Sequence, residues 1–199
     1  IIWDKKFNKG KIKALIVNAG NANAYTGTNG IKVIDKYVKF LSKSIKCKKE
    51  EVLVSSTGVI GEVFDPRLIT NQIKKTKFDK SSNLFEAAKS IMTTDTYAKV
   101  SLKKIKIGSK KINIFGIAKG SGMIMPNMGT MLAYIFIEAK ISNIMLKKLL
   151  KNNLEDSFNS ISVDSDTSTS DTLALISITN NNINFSNSSN YNKLNLAVS

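Results

Sequence analysis

The segment KGSGMIMPNMGTML, residues 119–132, holds the residue types with the clearest chemical potential. Gly120, Gly122, Gly129 and Pro126 force an irregular loop, and that loop ends abruptly at an apolar run beginning near Met131. Thr130 stands at this junction, directly after Gly129. A strained peptide beside a hydroxyl permits an N-to-O acyl shift, and glycine leaves the attacked carbonyl uncrowded. Cleavage of the Gly129–Thr130 bond would free the Thr130 α-amine, whose ordinary pKa of about 8 lets it act as base for its own hydroxyl. That route matters because the chain contains no histidine, so neither a Ser-His-Asp nor a Cys-His apparatus can be assembled from it. The competing reading of the segment is a structural connection that needs small residues. A phosphate cradle fits poorly, since the GxxxxGK[ST] spacing is missing and Lys119 precedes the glycines.

Acyl transfer also needs donors aimed at a developing oxyanion. SSTGVIGE, residues 55–62, offers the Thr57 hydroxyl beside the backbone N–H of Gly58, directly after an apolar run. Strand-to-glycine turns are common in α/β proteins, so by itself this pair also reads as purely structural. Thr93, Thr94 and Asp95 follow a helical pattern and fit either a binding loop or ordinary cap residues.

The elements that must carry these residues alternate between strand and helix. ALIVN (14–18) and VLVSS (52–56) are short continuous apolar runs of the buried-strand type. Between them, Ile31, Ile34, Val38, Leu41 and Ile45 recur at helical spacing and predict an amphipathic helix over 31–45. Pro66 opens a helix through about Lys75, and NLFEAAKSIM predicts another over 83–92. Strands follow at 98–107 and 111–118, with Gly108 and Ser109 in a hairpin turn. MLAYIFI (131–137) reads as a central strand, 141–151 as a helix and TLALISI (172–178) as a last strand. The order predicts an α/β or α+β layered fold with mixed sheets. From Thr179 on, asparagine and serine dominate and predict a disordered or loosely attached tail over 179–199.

Composition narrows the partners. With 199 residues and 42% hydrophobic content, the chain is expected to bury one sizeable core. It carries no apolar run of about 18 residues and no signal-peptide pattern at its start, which predicts a cytoplasmic protein that neither spans nor binds a membrane. The net charge of +15 would suit nucleic acid, yet every basic residue but Arg67 is lysine, and the lysines scatter over helix faces. Nucleic acid is therefore not expected as a partner. Cys47, the single cysteine, lies between lysines and can form neither an internal disulfide nor a zinc site.

Taken together, VNAGNANAYTG (17–27), SSTGVIGE (55–62), IMTTDT (91–96), AKGSGMIMPNMGTMLAYIFIEA (118–139) and DSDTSTSDT (164–172) resemble the ordered motif series of the ornithine acetyltransferase family of arginine biosynthesis. The resemblance covers most of residues 14–178. It implies a self-processing fold with an amino-terminal threonine nucleophile, in which the catalytic part over 1–178 divides into an α-chain part, 1–129, and a β-chain part, 130–178. It places the nucleophile at Thr130, the cleaved bond at Gly129–Thr130, the oxyanion residues at Thr57 and Gly58, and substrate contacts at Thr93 (or Thr94), Lys119 and Thr130. The implied reaction moves acetyl from N-acetylornithine to glutamate through an acetyl-Thr130 ester. Some family members also accept acetyl-CoA as donor. No metal and no bound cofactor is implied, and the assembly is an α2β2 heterotetramer of cleaved chains.

This sequence departs from the family in two places: Gly129 stands where most relatives carry alanine, and Tyr25 where they usually carry cysteine. Family chains are about twice this length, which implies that an amino-terminal stretch and most of a carboxy-terminal half, the latter completing the substrate pocket, lie outside these residues. Two further readings share the same residues. One is an amino-terminal-threonine amidase or aminopeptidase that passes the acyl group to water, and the other is a truncated, inactive remnant.

Overall fold

The computed structural model describes residues 1–80, 83–124, 131–166, 168, 170–178 and 181–199. The chain divides into two compact units, Ile1–Thr93 and Thr94–Ser199. A single core was expected. The difference arises because, among the described residues, the first two strands pair with each other and the remaining four form a separate sheet, so each unit gathers its own apolar cluster.

The first unit begins with α1 (Ile2–Phe7), which buries Trp3. Then follow β1 (Ala14–Asn21), α2 (Gly27–Ser44), β2 (Val52–Val59), α3 (Arg67–Lys75) and α4 (Leu84–Ser90). β1 and β2 run parallel, with Ala14 opposite Val52 and Asn21 opposite Val59. Val33, Ile34, Tyr37, Val38 and Leu41 form the buried stripe of α2 and pack on Val52, Val54, Ile73 and Trp3. That stripe follows from the 3.6-residue period, and its burial away from water is the main term holding α2 to the strands. Asn83 caps α4 by accepting from the Phe85 N–H at 2.9 Å. Cys47 is half-buried and free of any disulfide, and burial pushes its thiol pKa up.

The second unit holds β3 (Lys99–Ile107), β4 (Lys110–Lys119), β5 (Leu132–Ile137), α5 (Asn143–Leu154), β6 (Thr172–Ser177) and α6 (Ser188–Val198). The sheet order is β3-β4-β5-β6. β3, β4 and β5 are antiparallel neighbours, whereas β6 lies parallel to β5. The expected hairpin is present, with Gly108 at φ +61° in its turn. The fold class is thus the expected mixed α/β arrangement.

The tail requires correction. Residues 188–198 are helical, Asn187 caps the helix through the Ser189 N–H at 2.8 Å, and Leu194, Ala197 and the preceding Phe185 lie in the core of the second unit. Asparagine and serine content masks two apolar anchors at helical spacing, Leu194 and Ala197, and Phe185 just before the helix. Among the described residues, no helix is long and apolar enough to cross a membrane.

Candidate active site

In the first unit, β1 and β2 both run past their apolar stretches into glycine. Gly20 pairs with Gly58, and Ala19 with Thr57. Gly58 has φ +123°, and a Cβ there would sit 2.3 Å from the Gly20 carbonyl carbon. Only glycine allows the two chains to approach this closely. The loops beyond the strands are tied by amides. The Asn18 side chain donates to the Asn21 carbonyl at 2.7 Å, and that of Asn21 to the Glu62 carbonyl at 3.2 Å. The Asn23 N–H donates to Ser56 Oγ at 2.9 Å, and the Gly61 N–H to the Ala24 carbonyl at 3.0 Å. The asparagines of VNAGNANAYTG therefore act as braces for TGVIG. The sequence showed this segment only as one of the family-like motifs and assigned its asparagines no part.

Thr57 lies in β2, two residues before its end, and is 1% exposed. Its Oγ1 has no hydrogen-bond partner among the described residues. Native proteins rarely leave a buried hydroxyl unsatisfied, since the lost hydration is not regained. Such a group is prepared to donate to something else, and it stands beside the Gly58 N–H at the carboxyl ends of two parallel strands, where α/β folds bind ligands. Thr93 closes the first unit and is exposed.

In the second unit, Lys119 ends β4 and is 2% exposed. Burial lowers its pKa from the usual lysine range. Asp95 opposes that shift, Lys99 reinforces it and Asp171 opposes it. Asp95 is itself buried and accepts from Lys99 Nζ at 2.6 Å and from the Gly120 N–H at 2.8 Å. Thr94 Oγ1 and Ser121 Oγ share a hydrogen bond of 2.7 Å. The TTDT and KGSG motifs are thus bonded to one another through Asp95 and Thr94.

Strand register brings a third motif to the same edge. Lys119 pairs with Leu132, and Leu132 with Thr172, so the end of β4 and the starts of β5 and β6 lie side by side. Asp171 accepts from the Met131 N–H at 2.8 Å, and the Thr172 N–H donates to the Met131 carbonyl at 3.0 Å. Asp171 was not singled out from sequence. It lies 52 residues from Lys119, and nothing local to DSDTSTSDT reports that register. Gly129 and Thr130, the expected cleavage site and nucleophile, lie outside the described residues.

These features define a mixed α/β protein with candidate groups in each unit, a buried hydroxyl next to a glycine N–H in the first and a buried lysine with the Asp95 and Asp171 carboxylates in the second, in a sequence that holds no histidine. The chain belongs to the ArgJ family, whose sequence model matches residues 1–199. It is 46% identical to the arginine biosynthesis bifunctional protein ArgJ of Bartonella henselae over 167 residues, which is 83% of this chain and 41% of that protein. It is 44% identical to the protein of the same description from Bradyrhizobium diazoefficiens over 178 residues, 84% of this chain and 41% of that one. A crystal structure of arginine biosynthesis bifunctional protein ArgJ from Bacillus halodurans superposes with a TM-score of 0.54 at 35% identity, covering 59% of this chain and 61% of that chain. The chain therefore spans well under half the length of these two curated relatives.

Proposed function

We propose that this polypeptide provides the nucleophile-bearing part of a glutamate N-acetyltransferase that moves acetyl from N-acetylornithine to glutamate. The observation that carries the reading is the buried Thr57 hydroxyl, without a hydrogen-bond partner among the described residues, beside Gly58 in a family whose relatives are described as bifunctional proteins of arginine biosynthesis. In this reading the bond between Gly129 and Thr130 is broken by the chain itself, and the new α-amine of Thr130 takes the proton from its hydroxyl. The alkoxide attacks the acetyl carbonyl, and Thr57 Oγ1–H and the Gly58 N–H hold the oxyanion. Ornithine leaves with the proton from the amine, and glutamate then attacks the acetyl ester to regenerate the hydroxyl.

In this reading Lys119, buried at the end of β4 beside Asp95 and Asp171, pairs with a substrate carboxylate. Thr93, with Thr94 beside it in sequence, supplies a hydroxyl contact to substrate. The cycle uses no metal and no bound cofactor, with acetyl-CoA as a further donor. The assembly is an α2β2 heterotetramer of cleaved chains in the cytoplasm, acting on small molecules and not on nucleic acid or membranes.

The test is covalent. Incubation with acetyl-labelled N-acetylornithine, denaturation and peptide mass spectrometry should find acetyl on the peptide beginning at Thr130, and Thr130→Ala should remove both the label and the new amino terminus. Acetate release without any requirement for glutamate would replace this reading with the amidase.

A further inference from the structure

The ends of β1 and β2 hold a second buried polar atom, one that the proposed reaction leaves unused. Asn21 is the last residue of β1 and pairs with Val59, two positions on from the pairing of Ala19 with Thr57. Its side-chain nitrogen donates to the Glu62 carbonyl at 3.2 Å, and its own backbone carbonyl accepts from the Asn18 side chain at 2.7 Å. Because a carbonyl only accepts, the first bond fixes the Asn21 amide with its nitrogen towards Glu62 and its oxygen away from it. That Oδ1 is buried and has no hydrogen-bond partner among the described residues. Thr57 Oγ1, on the neighbouring strand, is in the same condition. The two unmet groups are of complementary kind, a hydroxyl able to donate and an amide oxygen that only accepts. Buried groups of this sort are nearly always partnered, so the pair calls for a ligand group that carries both an acceptor and a donor.

A secondary amide is such a group. Its oxygen accepts, its N–H donates, and in the planar trans form the two point in opposite directions. From the atom donating to its oxygen to the atom accepting from its nitrogen it spans about 8 Å. Positions offset by two residues on adjacent strands stand about 8 Å apart at the backbone. We infer that Asn21 is a substrate-binding residue whose Oδ1 accepts the N–H of the donor's acetamido group, while the Thr57 hydroxyl and the Gly58 N–H take its carbonyl oxygen. The inference rests on the reading of Thr57 and Gly58 as the oxyanion donors. It makes the site favour amide donors, because an ester offers no N–H and turns a lone pair towards Oδ1 instead. One acceptor serves both halves of the cycle, since the nitrogen that leaves in ornithine and the nitrogen that arrives in glutamate each carry hydrogen at the same place.

The experiment is a cycle between protein and donor, run on the polypeptide that carries these residues. kcat/KM is measured with N-acetylornithine and with the ester in which oxygen replaces its N–H, glutamate being the acceptor in both. In a ping-pong reaction this constant for the donor reports the first acetyl transfer alone. Asn21→Leu should lower the amide-to-ester ratio of kcat/KM about tenfold, the value of one hydrogen bond. Loss of the Glu62 contact by itself slows both donors equally, so the ratio separates binding the amide from bracing TGVIG. Asn21→Asp, which keeps an acceptor oxygen, should hold the ratio within about threefold of wild type, even where its charge slows both reactions. If Asn21→Leu does not unfold cooperatively by circular dichroism, Asn21→Ala takes its place. Thr57→Val checks the parent reading and should slow both donors alike, by about 100- to 1000-fold. Given that slowing, an unchanged ratio in Asn21→Leu or its replacement, or a ratio in Asn21→Asp as low as in leucine, overturns the Asn21 assignment alone. Turnover that Thr57→Val leaves unchanged, or a wild type that transfers acetyl from neither donor, overturns both.

Discussion

The two units prepare their polar groups in opposite ways. In the first, Thr57 is buried with a hydroxyl that no described group satisfies, and the strand ends around it are shaped by close backbone approach at Gly20 and Gly58. In the second, Asp95 and Asp171 each accept from a backbone N–H, Asp95 is ion-paired with Lys99, and the buried Lys119 feels both carboxylates. A vacant donor is suited to a charge that forms only during reaction, since it stabilises that charge without first giving up a partner. A satisfied network is suited to holding backbone and a standing charge in place. The contrast predicts that polar-to-apolar changes will act mainly on rate in the first unit and mainly on stability in the second.

The largest effect is expected at Gly58, where that contrast depends on backbone contact. Gly58→Ala places a methyl 2.3 Å from the Gly20 carbonyl carbon at φ +123°. Strain and overpacking together should cost about 4 kcal/mol. Gly61→Ala is the control. Gly61 has φ +90° but nothing within 4 Å of an added Cβ, so strain alone should cost about 1–2 kcal/mol. Urea denaturation of both variants measures the difference, and equal losses would remove close approach as the reason for glycine at position 58.

Thr57→Val is the next largest and divides rate from stability. On the proposed reading, in which Thr57 donates to the oxyanion, its loss should slow acetyl transfer about 100- to 1000-fold. Stability should change by about 1 kcal/mol or less, because no hydrogen bond is lost when a buried, unsatisfied hydroxyl becomes a methyl. A large drop in the denaturation midpoint would mean that the hydroxyl is structurally engaged. Unchanged turnover would remove it from the reaction.

In the second unit, Leu194→Ala should cost about 3 kcal/mol, since Leu194 is fully buried in α6. Leu196→Ala, two residues on and 71% exposed, should cost about 0.5 kcal/mol or less. If both are neutral by urea denaturation, the tail does not contribute to the core.

These sites differ in how far sequence alone revealed them. The α2 stripe from Val33 to Leu41, both parallel strands and the hairpin at Gly108 were legible because apolar period and turn chemistry are local signals. Thr57 and Gly58 were legible as a pair for the same reason, a hydroxyl and a glycine adjacent in the chain. The division into two units was not, because it depends on which strands pair, and no strand states its partner. Asp171 was illegible likewise: its contact with Met131 spans 40 residues and exists only through the parallel register of β5 with β6. The helix at 188–198 was missed because Leu194 and Ala197 are sparse among asparagines, whose weak helix propensity is outweighed by burial.

Asp95→Ala tests the satisfied network directly and should cost about 2 kcal/mol, chiefly by leaving the buried Gly120 N–H without its carboxylate acceptor. The Lys99 ion pair adds little, because the Lys99 side chain is about a third exposed (31%). Thr57→Val, by comparison, should be nearly neutral in the same assay. Similar losses for the two variants would erase the distinction between a vacant and a saturated site.

The smallest effect belongs to Lys119 and has a definite sign. Its folded-state pKa lies below the value of about 10.4 expected in the unfolded chain. In the interval between them the unfolded state binds a proton that the folded state has released, so stability rises with pH across that window. Below the folded pKa both states are protonated, and the full cost of burying the cation is present. Lys119→Met removes the titration. The wild-type denaturation midpoint minus that of Lys119→Met, followed from neutral pH towards 10.4, should therefore increase on the alkaline side. A flat difference would mean that Asp95 and Asp171 fully offset the burial. Lys119 would then be neutralised before any substrate carboxylate arrives, and its place in the reaction would have to be reassigned.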